Sequence, residues 1–334
     1  MKVFETKILD RDIETISEVL REGQLGFGSN VLVFENYFQN FSKQEHNIAL
    51  NSASAAAFLI FAYLREIYGV CDVYTPSLAF TSPAWAAKHF GHNIIWVDVD
   101  DNLLFDVEDY LKVKTPNARK AVLMPVLYGG VSTIPRLEEY FKEDRDEILV
   151  VDSAHCVTPT LKGDFTFYSF HPYKPIACSD GGMIATDNEA AAVYFRRYRN
   201  FGRVGSGDYD IGGEGFKFYM NNLNATIALT QAKRYQENLE VRKTAYSLYK
   251  QLNLPGRLLP HDESSSYYFA TLIQDSNALE ELSERWTTDK HYPLLHKTSY
   301  YNSRVRLENT ERLHKLLLNL PLYDPDLCDS RSRS

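Results

Sequence analysis

The sequence predicts an α/β protein built on a mainly parallel β-sheet, and two observations support that prediction. Short apolar runs of strand length recur along the first half of the chain, and segments with helical spacing of apolar residues lie between them. Such runs are typical of strands that are buried on both faces by alternating helices. At 334 residues, the chain is long enough for about two domains.

The individual elements follow one another in that alternating order. Apolar spacing predicts helices over 11–21 and 54–67, and Asn51 and Ser52 can cap the second of these. The expected strands are 73–75, 94–97, 121–126 and 148–151. A further strand is expected over 164–170, where polar and aromatic residues alternate, and another begins near Gly181. Pro172 and Pro175 exclude one continuous strand between them.

Helical pattern returns over 221–237 and continues over 235–251 toward a second unit. We therefore predict a large domain over residues 1–235 and a smaller C-terminal α+β domain over residues 236–327. Residues 328–334 are rich in serine and arginine and are predicted to be a disordered tail.

Composition excludes several classes of function. The chain has 36 basic and 44 acidic residues, a net charge of −8, which argues against general nucleic-acid binding. Its first twenty residues lack the pattern of a secretory signal, and no run approaches the ~20 apolar residues that span a bilayer. The four cysteines are scattered, without disulfide or metal spacing; they are Cys71, Cys156, Cys178 and Cys328. These features predict a reduced, cytoplasmic protein without a membrane partner.

Asp152 and Lys174 are the first candidate functional residues. Asp152 ends the strand-like run ILVVD, where a carboxylate could meet a ligand cation, although an ordinary turn aspartate is the alternative. Lys174 lies between two prolines in SFHPYKP, and a lysine held in apolar surroundings becomes nucleophilic near neutral pH. A solvated loop lysine is the alternative. The neighbouring Ser169 and the pair Gly181 and Gly182 favour the functional interpretation, because glycines allow close backbone approach.

The segment NSASA at 51–55 could bind an anion, because it opens a predicted helix directly after a strand-like run. Simple capping by Ser52 or Ser54 is the alternative, since the glycines of the dinucleotide and P-loop fingerprints are missing. Phe80 follows another predicted strand and could stack on a flat ring, although its local pattern favours a core aromatic.

Histidines give no support for a metal site. His155 and His171 each lack a second histidine or acid at metal-ligand spacing, so no metal is predicted. The sequence also lacks the GxSxG and HExxH signatures.

Taken in order, these motifs resemble those of the DegT/StrS-type sugar aminotransferases, which depend on pyridoxal 5'-phosphate (PLP) and have fold type I. The resemblance runs nearly from end to end, and SFHPYK followed by Gly-Gly is its most specific part. The other matching segments are GQLGFGSNVLVFE at 23–35, NSASAAA at 51–57, TPSLAF at 75–80, WVDVD at 96–100, PVLYGG at 125–130, VVDSAH at 150–155, RNFG at 199–202, GFKFYMNNLNATIAL at 215–229, HYPLLHKTSYY at 291–301 and NLPLYDP at 319–325.

The resemblance implies roles for named residues. Lys174 would form the imine with PLP and then act as the proton shuttle, and Asp152 would pair with the pyridine nitrogen. His155 would stack on the ring or hydrogen-bond near its hydroxyl, and Phe80 would cover the ring face. The residues that would bind the phosphate are Ala53, Ser54, Ser169 and, from the neighbouring subunit, Lys217.

Some positions depart from the family pattern. Ala53 stands where glycine is usual, and Lys217 stands where asparagine often reaches the phosphate. A lysine could still serve there as a point charge. The working unit implied is a homodimer with shared active sites.

The implied activity is transfer of an amino group from glutamate to a nucleotide-linked keto-sugar, with pyridoxamine phosphate as the intermediate cofactor form, in lipopolysaccharide, O-antigen or related sugar biosynthesis. A basic cluster could meet the anionic nucleotide, with a solvated helix face as the equal alternative; it consists of Arg196, Arg197, Arg199 and Arg203. A PLP-dependent sugar dehydratase and a catalytically silent regulatory homologue are the alternative functions. Lys174 argues against the dehydratases, which carry histidine there, and the Asp152–Lys174 pair argues against a silent protein.

Overall fold

The computed structural model describes residues 7–115, 119–143, 145–204, 210–275 and 291–323. The helices are α1 (Asp10–Glu22), α2 (Ser29–Ser42), α3 (Ala53–Tyr68), α4 (Thr81–His89), α5 (Val107–Val113), α6 (Pro135–Tyr140), α7 (Glu189–Tyr198), α8 (Asn222–Lys233), α9 (Tyr235–Gln251) and α10 (Glu308–Leu316). The strands are β1 (His46–Leu50), β2 (Asp72–Pro76), β3 (Asn93–Val97), β4 (Ala121–Leu123), β5 (Ile148–Asp152), β6 (Phe165–Ser169), β7 (Gly182–Thr186), β8 (Gly256–Leu258), β9 (Ala270–Gln274) and β10 (Leu317–Leu320).

Seven strands form one mixed sheet in the order β1-β7-β6-β5-β4-β2-β3. The run from β3 through β2, β4 and β5 to β6 is parallel, whereas β7 is antiparallel to both β6 and β1. This sheet confirms the predicted mainly parallel α/β fold. The carboxyl ends of the parallel strands, including Asp152 at the end of β5, therefore meet at one edge.

Helices cover both faces of the sheet because neighbouring strand residues point to opposite sides. Val150 packs in one apolar cluster with Phe61 of α3 and Phe195 of α7. The next residue, Val151, packs in another cluster with Tyr110 of α5. Strands buried on both faces require continuous apolar sequence, which is the pattern that ILVV presents.

A smaller antiparallel sheet, in the order β10-β9-β8, lies within the segment predicted as the C-terminal domain. The boundary at residue 235 stays a prediction, although α9 begins at Tyr235. The predicted tail and Cys328 lie outside the described residues, and the other three cysteines are buried free thiols. Among the described residues, none of the helices has both the length and the apolar character needed to cross a bilayer.

Two predicted elements are shorter than expected. The strand expected over 121–126 ends at Leu123, and Val126 adds only an isolated bridge to Asp152. Pro125 lies between them and has no N–H to donate to a ladder. The helix expected over 221–237 ends at Lys233, and Arg234 adopts a non-helical conformation before α9 begins.

Side-chain capping explains where the helix beside the sheet edge begins. Ser52 adopts an extended conformation, and its Oγ accepts a hydrogen bond of 3.1 Å from the backbone N–H of Ala55. Gly182, at the start of β7, lies directly against this first turn. A Cβ atom at Gly182 would lie 2.3 Å from the carbonyl carbon of Ser52 and 2.4 Å from the nitrogen of Ala53. Glycine is therefore required for α3 to approach the sheet this closely.

We predict that Gly182→Ala destabilises the protein by at least about 1–3 kcal/mol, because the new methyl group must displace backbone rather than a flexible side chain. Chemical denaturation measures the change in the free energy of unfolding. Gly26→Ala is the matched control, since a Cβ atom there meets nothing within 4 Å. Equal stability of the two variants would contradict the packing argument.

Candidate active site

A cavity of about 320 Å³ opens at the carboxyl edge of the parallel strands. It brings together most of the residues predicted from sequence: Ala53, Ser54, Phe80, Asp152, His155, Ser169 and Lys174 all line it. Lys217 does not belong to the described lining, and its exposed side chain lies near Tyr219 instead. One chain therefore assembles every predicted site residue except the one expected from a partner.

Asp152 is the buried carboxylate of the cavity. It is 4% exposed, and its Oδ1 accepts a hydrogen bond of 3.0 Å from the backbone N–H of Ala154. Burial raises the pKa of Asp152 to about 6, against the opposing effects of that N–H and of the Lys174 ammonium. A nearby cation therefore helps Asp152 to keep its negative charge, which burial disfavours.

Lys174 supplies that cation from the loop after β6. A turn in which the Lys174 N–H donates to the carbonyl of His171 at 2.8 Å holds the loop. Its Nζ lies 4.4 Å from the ring centroid of Tyr268, a cation–π contact. Burial lowers the pKa of Lys174 to about 7, although the Asp152 carboxylate raises it. A large fraction of this amine is therefore neutral and nucleophilic near neutral pH.

The start of α3 forms the polar end of the cavity. The N–H groups of Ala53 and Ser54 belong to the first helical turn and have no intrahelical acceptor. They lie beside Ser169, the last residue of β6, in the cavity wall. Ser54 Oγ donates to Ser82 Oγ at 2.9 Å, which keeps this end small and polar. Free amides at the positive end of a helix favour an anion.

Aromatic side chains form the remaining walls. Phe80 is 49% exposed and meets Tyr292 edge to face at 5.6 Å, so the expectation of a core aromatic is wrong. His155 is buried, and its Nε2 lies 3.0 Å from the hydroxyl of Tyr292. Burial and the neighbouring Lys174 lower the pKa of His155, so its imidazole is neutral. These walls would hold a flat ring.

Tyr268 and Tyr292 are cavity residues that the sequence prediction missed. Tyr268 lies two residues before β9 in an apolar aromatic run, which is indistinguishable in sequence from ordinary core. Its approach to His155 depends on Gly130, where φ is 91° and a Cβ atom would lie 2.9 Å from the nitrogen of Tyr268 and from the carbonyl oxygen of His155. The one sequence signal for Tyr292 is the HYP segment.

The predicted arginine cluster does not hold together as one patch. Arg199 is 3% exposed and forms a buried ion pair with Glu35, while its Nη1 also donates to the carbonyl of Ala49 at 2.7 Å. This prediction is wrong for Arg199, because a buried guanidinium committed to a carboxylate cannot receive a nucleotide. Among the described residues, no group of three or more potential metal ligands is found.

A partly buried lysine and a buried carboxylate under aromatic cover, beside an anion-binding helix start, define an enzyme of the PLP-dependent fold-type I class. The family comparison makes this specific. The model of the DegT/DnrJ/EryC1/StrS aminotransferase family matches residues 6–332. The chain belongs to this family of PLP-dependent sugar aminotransferases.

Individual relatives agree with that assignment. The spore coat polysaccharide biosynthesis protein SpsC of Bacillus subtilis (strain 168) is 27% identical over 355 residues, covering 95% of this chain and 90% of SpsC. The aminotransferase TlmJ from Streptoalloteichus hindustanus has a TM-score of 0.85 at 25% identity, covering 99% of this chain and 95% of its own. Helicobacter pylori PseC, an aminotransferase in the biosynthesis of pseudoaminic acid, has a TM-score of 0.86 at 20% identity, covering 98% and 97%.

The residues present fit PLP. Its phosphate matches the free amides of Ala53 and Ser54, and its pyridine ring matches the aromatic walls with Asp152 as the buried carboxylate. Lys174 supplies a neutral amine for the aldehyde. His155 Nδ1 is buried and has no hydrogen-bond partner among the described residues. Buried polar atoms normally have a partner, so this nitrogen could bond to a polar group of the bound cofactor.

We predict that the cofactor-free protein captures PLP faster as the pH rises through about 7, because the neutral amine of Lys174 attacks and the ammonium does not. Since Asp152 raises this pKa, Asp152→Asn should move the midpoint to lower pH. Stopped-flow absorbance after mixing with PLP measures the rate, and Lys162→Ala, which alters an exposed lysine elsewhere, is the control. A midpoint near the ~10.4 of a free lysine would contradict the argument.

Proposed function

We propose that the protein transfers an amino group from glutamate to a nucleotide-linked keto-sugar, in the biosynthesis of a surface polysaccharide. The observation that carries the proposal is that Lys174 and Asp152 face one cavity at the anion-binding start of α3. The roles of SpsC in spore coat polysaccharide biosynthesis and of PseC in pseudoaminic acid biosynthesis support a sugar substrate. Glutamate as donor, the nucleotide and the polysaccharide follow from the family resemblance.

Bound PLP supplies an electron sink that stabilises negative charge on the carbon next to the reacting nitrogen. The residues of this chain would prepare that chemistry. Asp152 would hold a proton on the pyridine nitrogen, because a buried carboxylate keeps its charge best beside a cation. The Nζ of Lys174, no longer bonded to the cofactor, would remove a proton from the substrate carbon next to the reacting nitrogen. It would then deliver that proton to the cofactor carbon on the other side of the nitrogen.

Two other readings of the cavity are weaker. A sugar dehydratase of this class would carry histidine in place of Lys174, and the chain has lysine. A catalytically silent regulator would have no need to hold Lys174 near the buried Asp152, where both pKa values are displaced.

The decisive experiment is a screen of nucleotide-linked 3-keto and 4-keto sugars with glutamate that carries labelled nitrogen. We predict that one of these sugars acquires the label, as read by mass spectrometry. Asp152→Asn should still bind PLP but should be slower by on the order of 10²-fold or more, because it loses the charge that acts on the ring nitrogen. Label transfer by Lys174→Ala at the wild-type rate would contradict the proposed mechanism.

We also propose a two-fold dimer in which Lys217 reaches the PLP phosphate of the partner. In its own chain Lys217 is exposed on the segment before α8, and its carbonyl accepts from Asn51 Nδ2 at 3.2 Å. Exposed apolar side chains on the same segment, Ile211 at 49% and Phe216 at 53%, support an interface there. A two-fold interface is self-complementary, so it would build two equal sites.

Subunit exchange tests this arrangement. Lys174→Ala and Lys217→Glu chains should each be inactive, but a mixed dimer should recover part of the activity, because one of its sites has both defects and the other has neither. Lys112→Glu, at an exposed lysine of α5, is the matched control and should be active alone. No recovery despite proven exchange, or full activity of Lys217→Glu, would mean that Lys217 plays no part in the partner's site.

A further inference from the structure

Outside the cavity, three side chains form a hydrogen-bonded chain that the proposed chemistry does not use. His296 lies in a short 3-10 turn, Leu295–Lys297, and is fully buried. Its Nδ1 is 2.7 Å from the Oγ of Ser77, and its Nε2 is 3.2 Å from Oε1 of Glu311 on α10. This hydrogen-bonded chain joins the loop after β2 to the C-terminal part of the protein.

The direction of the hydrogen bonds follows from Glu311. The ammonium of Lys297, 2.9 Å from Glu311 Oε1, lowers the pKa of this carboxyl to about 2, so the carboxylate can only accept. His296 Nε2 must therefore carry the proton. Burial lowers the pKa of His296, so its ring is neutral and Nδ1 accepts from the hydroxyl of Ser77.

A serine, a histidine and a carboxylate in this order could suggest a nucleophile, but burial excludes that role. Ser77 and His296 are both 0% exposed, and neither belongs to the described lining of the cavity. A hydroxyl that no substrate can reach cannot attack one. The hydrogen-bonded chain of Ser77, His296 and Glu311 must therefore act through the two segments that it connects.

Those two segments carry the aromatic wall of the cavity. Ser77 lies three residues before Phe80, and its carbonyl accepts from the N–H of Leu295 at 3.0 Å. An isolated bridge between Leu78 and Leu294 adds a second backbone link. The contact of Phe80 with Tyr292 lies just beyond that bridge, and the hydroxyl of Tyr292 lies 3.0 Å from His155 Nε2.

We propose that His296 is a positioning residue, which through Ser77 holds the Phe80 loop against the Tyr292 segment and so sets the aromatic wall to the width of the cofactor ring. The inference rests on the proposed function in so far as that ring is PLP. The bond to Ser77 sets the wall, whereas the bond to Glu311 anchors the histidine.

Two substitutions of His296 separate its hydrogen bond to Ser77 from its hydrogen bond to Glu311. In His296→Asn, the side-chain amide lies near the position of Nδ1 and can accept from Ser77. In His296→Gln, the amide extends to the position of Nε2 and can donate to Glu311 but not meet Ser77. We expect His296→Asn to bind PLP within about 3-fold of the wild type. We expect His296→Gln and Ser77→Ala to bind it about 10-fold more weakly, the effect of one buried hydrogen bond.

The readout is the dissociation constant of PLP from absorbance titration, together with the wavelength of the bound band. Thermal unfolding of the cofactor-free variants reports on the fold separately. Failure of the wild type to bind PLP would overturn the proposed function. Normal wild-type binding with equal constants for the Asn and Gln variants would overturn the role of His296 alone. Should His296→Gln fail to fold, Ser77→Ala decides, and an unchanged constant there also overturns the inference.

Discussion

The active site depends on a buried carboxylate and a partly buried lysine that face each other at one edge of the sheet. Burial raises the pKa of Asp152 to about 6 and lowers that of Lys174 to about 7, and the attraction between the two charges opposes both shifts only in part. The charge of each group therefore favours the charged form of the other. A more exposed site would leave the lysine charged and the carboxylate without influence on a ring nitrogen.

The aromatic walls make that burial possible. Tyr268 covers the ammonium of Lys174 by a cation–π contact, and the neutral His155 adds a polar group without adding charge. Phe80 is half exposed and closes the cavity against Tyr292. The lysine, the carboxylate and the helix start thus act beside aromatic and neutral walls, where a preorganised field has its strongest effect.

Much of the fold and of the site was predictable because local chemistry determines it. Strand ends, proline interruptions and helix caps are visible in sequence, which is why Asp152, Lys174 and Ser52 lie where expected. Tyr268 was missed because the sequence pattern of an aromatic residue near a buried strand predicts a core residue, whether or not its side chain faces a cavity. Arg199 was misassigned because its partner, Glu35, is distant in sequence, and only tertiary structure brings the two together.

The position of β1 has a consequence for how the chain is made. This amino-terminal strand pairs with β7, so His46 and Leu50 must wait for Thr186 and Gly182 to be synthesised. Contacts between such distant residues form slowly. At ~5–20 residues per second, synthesis places roughly 7 to 28 seconds between the two strands. Because Gly182 packs directly against the first turn of α3, that helix start can take its final place beside Lys174 and Asp152 only after β7 has been made. A nascent chain stopped before β7 would carry Asp152 and Lys174 but would lack the strand that pairs with β1 and supports the start of α3.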